Sequence, residues 1–405
     1  IAKAAALACL STTIAHAGQE SPSSASPAPF NACEWLQNKP GLVYKNDENP
    51  WIQSLQFEGR LQYQAAYLEG EDVNGNDFNE TFDEYRRARL GTKVKFLGYF
   101  GAKYQVNLVE DGRRSGADLD WQYQDIDEAY LSFDLGKALE LDAWDELTAS
   151  YGRHKFTLGH ESTTSSTKLL TVERSALSNK VYGSYRPTGL KVDAVTGDWE
   201  FGGAIYSSSL DGADHETFGS WNDSEIYWLH SAYAMNDQLT LGADFAYNNA
   251  DRSAGEDSVM DYQWASSLNA QYTSGRFGLI ADVIFGDNGS NLGHNANREG
   301  SFYGLILMPH YWLLEDKLEA VAQYQWMGSS ESEGVRINSR YGRSGHGAAV
   351  NSGRGDQHHS LYSGLNYYLC GHQAKIQAGI EYQTMDTPNG DFDTLSYVLA
   401  FRTYF

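Results

Sequence analysis

The chain of 405 residues carries 53 Asp plus Glu against 30 Lys plus Arg, a formal charge of −23. That excess of negative charge repels polyanions and argues against a nucleic-acid partner. Aromatic residues make up 13% of the chain, which excludes a disordered polymer, and no apolar run of the length a membrane helix needs occurs beyond the N-terminus.

Residues 1–17 combine one Lys, an apolar stretch and the small-x-small sequence Ala15-His16-Ala17, the pattern of a secretory signal. The expected mature chain begins near Gly18, so Cys9 leaves and Cys33 and Cys370 remain. Residues 18–50 are rich in Ser, Pro and Asn without an apolar period and read as a periplasmic leader, with a short anchored turn at Cys33-Glu34-Trp35-Leu36.

From Trp51 the dominant period is two. Leu55, Phe57, Leu61, Tyr63 and Tyr67 alternate with Gln56, Glu58, Arg60, Gln62 and Gln64. Such segments predict sixteen strands near 51–68, 83–97, 100–110, 123–135, 146–158, 181–195, 198–208, 223–234, 237–249, 259–273, 275–287, 299–313, 316–328, 357–370, 373–385 and 393–405. The odd connections are long and the even ones mostly tight turns, Gly136 to Asp145 being the extended exception. An even strand count with long loops on one side and short turns on the other predicts an all-β, 16-stranded antiparallel transmembrane barrel over residues 51–405. In lipid a strand-built wall has to close on itself, and sixteen strands enclose an aqueous lumen. Aromatics near strand ends (Trp51, Tyr67, Tyr262, Trp264, Tyr272, Tyr311, Trp312, Tyr324, Trp326, Tyr404, Phe405) are candidates for interfacial girdles. Phe405, with Phe401 at alternate spacing, resembles the terminal signal read by barrel-assembly machinery.

The most informative strand is Tyr85–Phe96. Ala88, Leu90, Thr92, Val94 and Phe96 share the even parity and carry no charge, while Arg87, Arg89, Lys93 and Lys95 share the odd one. A lipid-facing Arg or Lys costs about 2–4 kcal/mol near the midplane, so the odd set is expected to face the lumen as a basic ladder, with Lys103 and Arg60 beside it on neighbouring strands. Two readings stay open: the cations pair with lumenal carboxylates such as Glu58, Glu128 and Asp134, or they line an anion pathway. The third long connection, Gly159 to Lys180, holds His160, Glu161, a Ser/Thr run, Lys168, Glu173, Arg174 and Lys180 and is the expected constriction loop.

The stretch YRRARLG at Tyr85 to Gly91, YGRHKFTLGHE followed by ERSAL at Glu173 to Leu177, and RPTGL at Arg186 to Leu190 are similar to the phosphate-selective porin O and P family, over about residues 51–405. The resemblance implies a homotrimeric porin whose inward loop and lumenal cations pass small anions. The third loop offers only Lys168, Arg174 and Lys180, opposed by Glu161 and Glu173, where phosphate-specific members carry a dense arginine ladder and a lysine cluster. That departure points towards a general or weakly anion-selective pore.

The first long loop carries Glu69, Glu71, Asp72, Asp77 and Glu80 without a cation. Its DVNGNDFNE matches a calcium loop only loosely, the Gly falling at the wrong place, and reads as a solvated surface loop, with divalent bridging to lipopolysaccharide as the alternative. The seventh loop, Ser329 to Asp356, carries Arg336, Arg340, Arg343 and Arg354 and either folds over the mouth or stays in solvent. His358 and His359 are adjacent and so point to opposite faces of a strand, which disfavours a shared metal. With no metalloprotease, P-loop or nucleophile-elbow pattern, neither enzyme activity, nor a metal, nor a cofactor is expected. Cys370 at the last periplasmic turn and Cys33 ahead of the first strand lie on one side of the barrel, which suggests a disulfide. The resulting expectation is an outer-membrane porin of a Gram-negative bacterium, in contact with lipid and lipopolysaccharide, for passive diffusion of small hydrophilic solutes, anions such as phosphate first. The alternatives are a general pore, one preferring cations or sugars, and a structural or adhesion barrel.

Overall fold

The computed structural model describes residues 30–109, 122–210, 218–222, 224–251, 256, 258–290, 295–337, 340–343 and 347–405. The expected signal segment, with Cys9, lies outside them, as does most of the leader's first half.

Sixteen antiparallel strands form the wall: β1 Ile52–Glu71, β2 Asp77–Phe96, β3 Phe100–Asn107, β4 Asp125–Asp134, β5 Glu146–Arg153, β6 Thr188–Thr196, β7 Trp199–Ser207, β8 Glu225–Asn236, β9 Leu239–Asn248, β10 Trp264–Ser274, β11 Phe277–Asp287, β12 Ser301–Leu314, β13 Leu318–Ser329, β14 Gln357–Tyr368, β15 Ala374–Asp386 and β16 Phe392–Tyr404. Each pairs with its sequence neighbour, and β16 pairs with β1 from Tyr404↔Arg60 to Asp393↔Glu71, which closes the barrel. Closure leaves no sheet edge to hydrogen-bond in lipid.

Period-two alternation sorts the two faces. Outward Phe57, Leu90, Tyr104, Leu131, Tyr151, Leu229, Leu268, Val283, Leu361, Ile380 and Leu399 are exposed and apolar, whereas lumenal Gln62, Gln64, Gln105, Asp127, Asn366, Gln377 and Arg402 are buried. Of the aromatic girdle, Trp51, Tyr67, Tyr272, Tyr311 and Tyr324 are exposed. Tyr262 is fully buried instead, since it lies ahead of β10 and its hydroxyl donates to the Val181 carbonyl of the third loop. Trp312 packs on lumenal Tyr368 and Tyr404 faces an internal cavity, because their parity follows the inward row.

Short turns close one end. Leu97 and Gly98 both take positive φ (52° and 79°), the conformation that matches the right-handed twist of a tight hairpin. At the other end the first connection is shorter than the sequence suggests. β1 and β2 run on to Glu71 and Asp77, and a five-residue turn joins them, with Asp72 Oδ1 accepting from the Asn74 and Asn76 N–H groups at 2.8 and 3.0 Å. The acidic run is thus a self-capped turn on strand ends, in place of a long surface loop.

The helix α1 Ala32–Gln37 and a short strand Leu42–Lys45 precede the barrel. That strand pairs with Ser54–Gln56 of β1, beyond the point where the C-terminus leaves off, Phe405 exchanging both backbone hydrogen bonds with Gly59. Cys33 and Cys370 form a disulfide, so the segment ahead of the barrel is tied to the turn between β14 and β15. Among the other helices, α2 Leu135–Ala138 fills the extended even connection, and α3 His160–Thr163 and α4 Ala176–Tyr182 belong to the third loop.

Candidate functional site

The third loop leaves the wall after Arg153 and rejoins it at Thr188, later than the expected start near 181. The difference is α4, which Ser175 caps at its start by accepting from Ser178 N–H at 3.1 Å and Gly183 ends at φ 52°. The loop crosses the lumen, and its backbone is pinned by wall side chains. Asp244 and Asp282 accept from the N–H groups of Gly159 and His160 at 3.0 and 2.8 Å. Lys375 donates to the Leu169 carbonyl at 2.6 Å, and Arg402 to the Ser166 carbonyl at 2.7 Å. Leu177 and Val181 of α4 are fully buried with Ile284, Phe302, Ile306 and Met327. A Cβ at Gly304 would come within 2.6 Å of the Leu177 side chain, so glycine there permits the close approach.

Between this loop and β1–β4 lies a cavity of about 370 Å³. Nine cations line it (Arg60, Arg87, Arg89, Lys93, Lys103, Lys155, Lys168, Arg174, Arg186), against three carboxylates (Glu58, Asp127, Glu128). Four of the nine are ion-paired: Arg89 and Arg186 to Asp127 at 2.5 and 2.8 Å, Lys93 to Glu58 at 2.6 Å, and Lys103 to Glu128. Asp134 caps α2 instead of joining them. Others bond to neutral acceptors: Arg87 to Gln62 Oε1 at 2.7 Å, Arg60 to Ser166 Oγ at 2.9 Å, Arg174 to the Glu161 and Thr164 carbonyls, and Lys155 to the Ser162 carbonyl. Lys168 is exposed within the cavity lining. Burial pushes the Lys155 ammonium down to about 7, because a charged form is poorly solvated there.

The expected ladder is thus brought together except for Lys95, which lines a separate, more periplasmic chamber with Tyr99, Lys137 and Asp193. Of the expected constriction residues, Lys168 and Arg174 reach the cavity and four do not. Lys180 donates to Asn288 at 2.6 Å on the far wall. Glu173 pairs with Arg86 at 2.7 Å. Glu161 accepts from Ser175 N–H at 3.1 Å and Gln323 at 3.0 Å, and burial raises its carboxyl above the usual range. His160 and Glu161 line a third cavity facing His310, Glu319 and His372.

Sequence reasoning left out Lys155, Arg186, Asp127 and Arg86. Lys155 lies two residues beyond the end of β5 at Arg153, in a stretch read as strand, and Arg186 precedes Pro187, a residue that disfavours helix before it and signals the exit from α4. Arg86 faces inward through a β-bulge, since Gln62 pairs with Arg87 while Tyr63 pairs with Tyr85. One extra residue shifts the inward row from even positions, Phe82 and Glu84, to odd ones, Arg87 and Arg89.

A closed sixteen-stranded barrel with an apolar outer belt, a polar lumen and an inward third loop defines an outer-membrane porin, a channel for small solutes. The chain belongs to the phosphate-selective porin O and P family, whose model matches residues 55–276, and with it to the outer membrane of Gram-negative bacteria. Comparison with curated proteins gives no match. Among solved structures it is similar to the outer membrane channel DcaP of Acinetobacter baumannii (TM-score 0.57, 12% identity, covering 89% of this chain and 99% of that one). It is also similar to OmpT of Vibrio cholerae (0.54, 11%, 90% and 99%) and to the anion-selective porin from Comamonas acidovorans (0.53, 10%, 86% and 99%). At these identities the likeness is one of fold.

Proposed function

We propose that this porin passes small anions, inorganic phosphate among them, by passive diffusion through the cavity between the third loop and β1–β4. The observation that carries the reading is the charge of that lining, nine cations against three carboxylates, with Arg60, Arg87, Lys155 and Arg174 bonded to neutral acceptors and so uncancelled by a carboxylate in contact. Low-dielectric walls focus such a field on the solute in the narrows. Arg60, Arg87, Lys168 and Arg174 are the residues assigned to the solute path, with Lys155 added from the loop. Arg89, Lys93 and Lys103 act partly through their carboxylate partners, and Lys95 acts at the periplasmic exit.

The same reading makes residues 1–17 an export signal, residues 18–50 a periplasmic leader and residues 51–405 the barrel. It gives the assembled porin three copies, as its family implies, set in lipid and lipopolysaccharide, with conduction and not catalysis as its work. The test is the zero-current potential across a planar bilayer in a KCl gradient. A potential negative on the dilute side is expected. A positive one, or a barrel that does not conduct, overturns the reading.

A further inference from the structure

The seventh loop sends its own guanidinium into the lumen. Arg340 donates from Nε and Nη2 to the two oxygens of Glu84, a lumenal carboxylate whose side chain is 0% exposed. Tyr341 stacks on Phe82 at 4.9 Å between ring centres and donates to Glu84 at 2.7 Å. Gln64 completes the cradle, its Nε2 lying 3.1 Å from Glu84, 2.7 Å from Tyr341 Oη and 2.9 Å from Glu173, with two N–H groups to share among them. Behind it lies a polar void of about 20 Å³, lined among others by Gln323, Glu381, Gln383 and Ser396, room for about one water. Gln383 and Ser396 are 1% and 2% exposed. Among the described residues neither amide atom of Gln383 and not the Ser396 hydroxyl has a hydrogen-bond partner, and Thr394, opposite Gln383 on β16, is in the same state.

The void is polar-lined and adjoins the Arg340 side chain, so withdrawing Arg340 widens it into a chamber with Glu84 at one end and Gln383 and Ser396 at the other. A ligand that entered beside Glu84 with a polar tail would meet them. We propose that Glu84, Gln64 and the Gln383–Ser396 wall form an occluded binding site for small guanidinium-bearing solutes, with Arg340 as its resident occupant. The chemistry selects the class. Two carboxylate oxygens held in one plane match the two parallel N–H groups of a guanidinium, and a compact ammonium does not fill them. The other charges facing the void are Glu381, Glu173 paired with Arg86, and Arg174, so removal of Arg340 leaves the site acidic and unsuited to an anion. The site lies further along β1 and β2 from the basic cavity, towards the turn at Asp72, and shares only Arg174 with its lining. Its ligand is a cation held by Glu84, so the proposal does not require the anion reading. Arg340 competes with a solute from within the chain and therefore at high effective concentration.

The test is single-channel current of the full barrel with methylguanidinium as probe and its neutral isostere N-methylurea as control. In Arg340→Ala, methylguanidinium is expected to alter the current at a concentration at least about tenfold below that needed with the native chain, with N-methylurea inert. Adding Glu84→Gln to that variant abolishes the response. If Arg340→Ala does not assemble, Arg340→Lys, which keeps the charge and loses the fork, is expected to lower the effective concentration in the same direction. A variant that assembles and ignores methylguanidinium, responds equally to N-methylurea, or responds unchanged with Glu84→Gln present overturns the proposal.

Discussion

The two sides of the third loop use charge in opposite ways. Towards β1–β4 the cations outnumber the carboxylates, and several touch only carbonyls, amides and hydroxyls. Towards β8–β13 Asp244 and Asp282 accept the loop's backbone N–H groups, an apolar cluster seats α4, and Glu319 is held within the wall by His310, Asn366 and Tyr368. On the proposed reading the first side meets the solute, while the second mainly seats the loop. The formal charge of −23 is therefore a poor guide to what the pore sees, because a solute in the narrows meets the nearest groups, and those beyond about 8–10 Å across water are screened.

The largest effect is expected from neutralising the solute side. Replacing Arg60, Arg87, Lys155, Lys168 and Arg174 with Gln abolishes most of the anion preference in salt-gradient reversal measurements, whereas His310→Gln with Glu319→Gln on the anchoring side leaves it in place. Equal responses from both sides would break the contrast. Next comes Leu177→Ala, which removes a fully buried side chain from the seat of α4 at a cost of about 2–5 kcal/mol. It is expected to lower the heat-modification midpoint of the barrel and to add conductance noise as the loop loosens, without changing the sign of selectivity.

A smaller effect follows from pH. Lys155 is held down to about 7, so it is charged below that value and neutral above it. Anion preference is expected to decline as the pH rises from about 6 to about 8, and Lys155→Met is expected to flatten that slope. A preference that grows with pH would contradict the assignment. The smallest effect is that of Cys33→Ser. It frees the leader from the turn bearing Cys370 and is expected to leave conductance unchanged, with a modest loss of thermal stability.

The wall was legible because its physics is local. Lipid outside and water inside impose alternation strand by strand, and the observed strands follow the expected segments closely. What was not legible involves contacts across the lumen. The apolar run Phe302–Met308 has Phe302, Ile306 and Met308 on its buried, inward row, a sign in the sequence that something apolar covers the wall there, yet nothing local says it is α4. The bulge at Arg86 shifts parity within one strand, and alternation alone gives no warning of where a bulge falls. His358 and His359 do separate as their adjacency requires, one fully buried against the Thr384 carbonyl and the other beside Tyr324 Oη on the outer face.

The central claim is that position, and not total charge, sets selectivity. The most direct measurement holds the total fixed while moving charge: Arg60→Gln and Arg87→Gln combined with Glu71→Gln and Asp77→Asn, the last two at the exposed strand ends that flank the rim turn. The zero-current potential of this variant in a KCl gradient is predicted to move towards zero relative to the native porin. A potential identical to the native one would contradict the account.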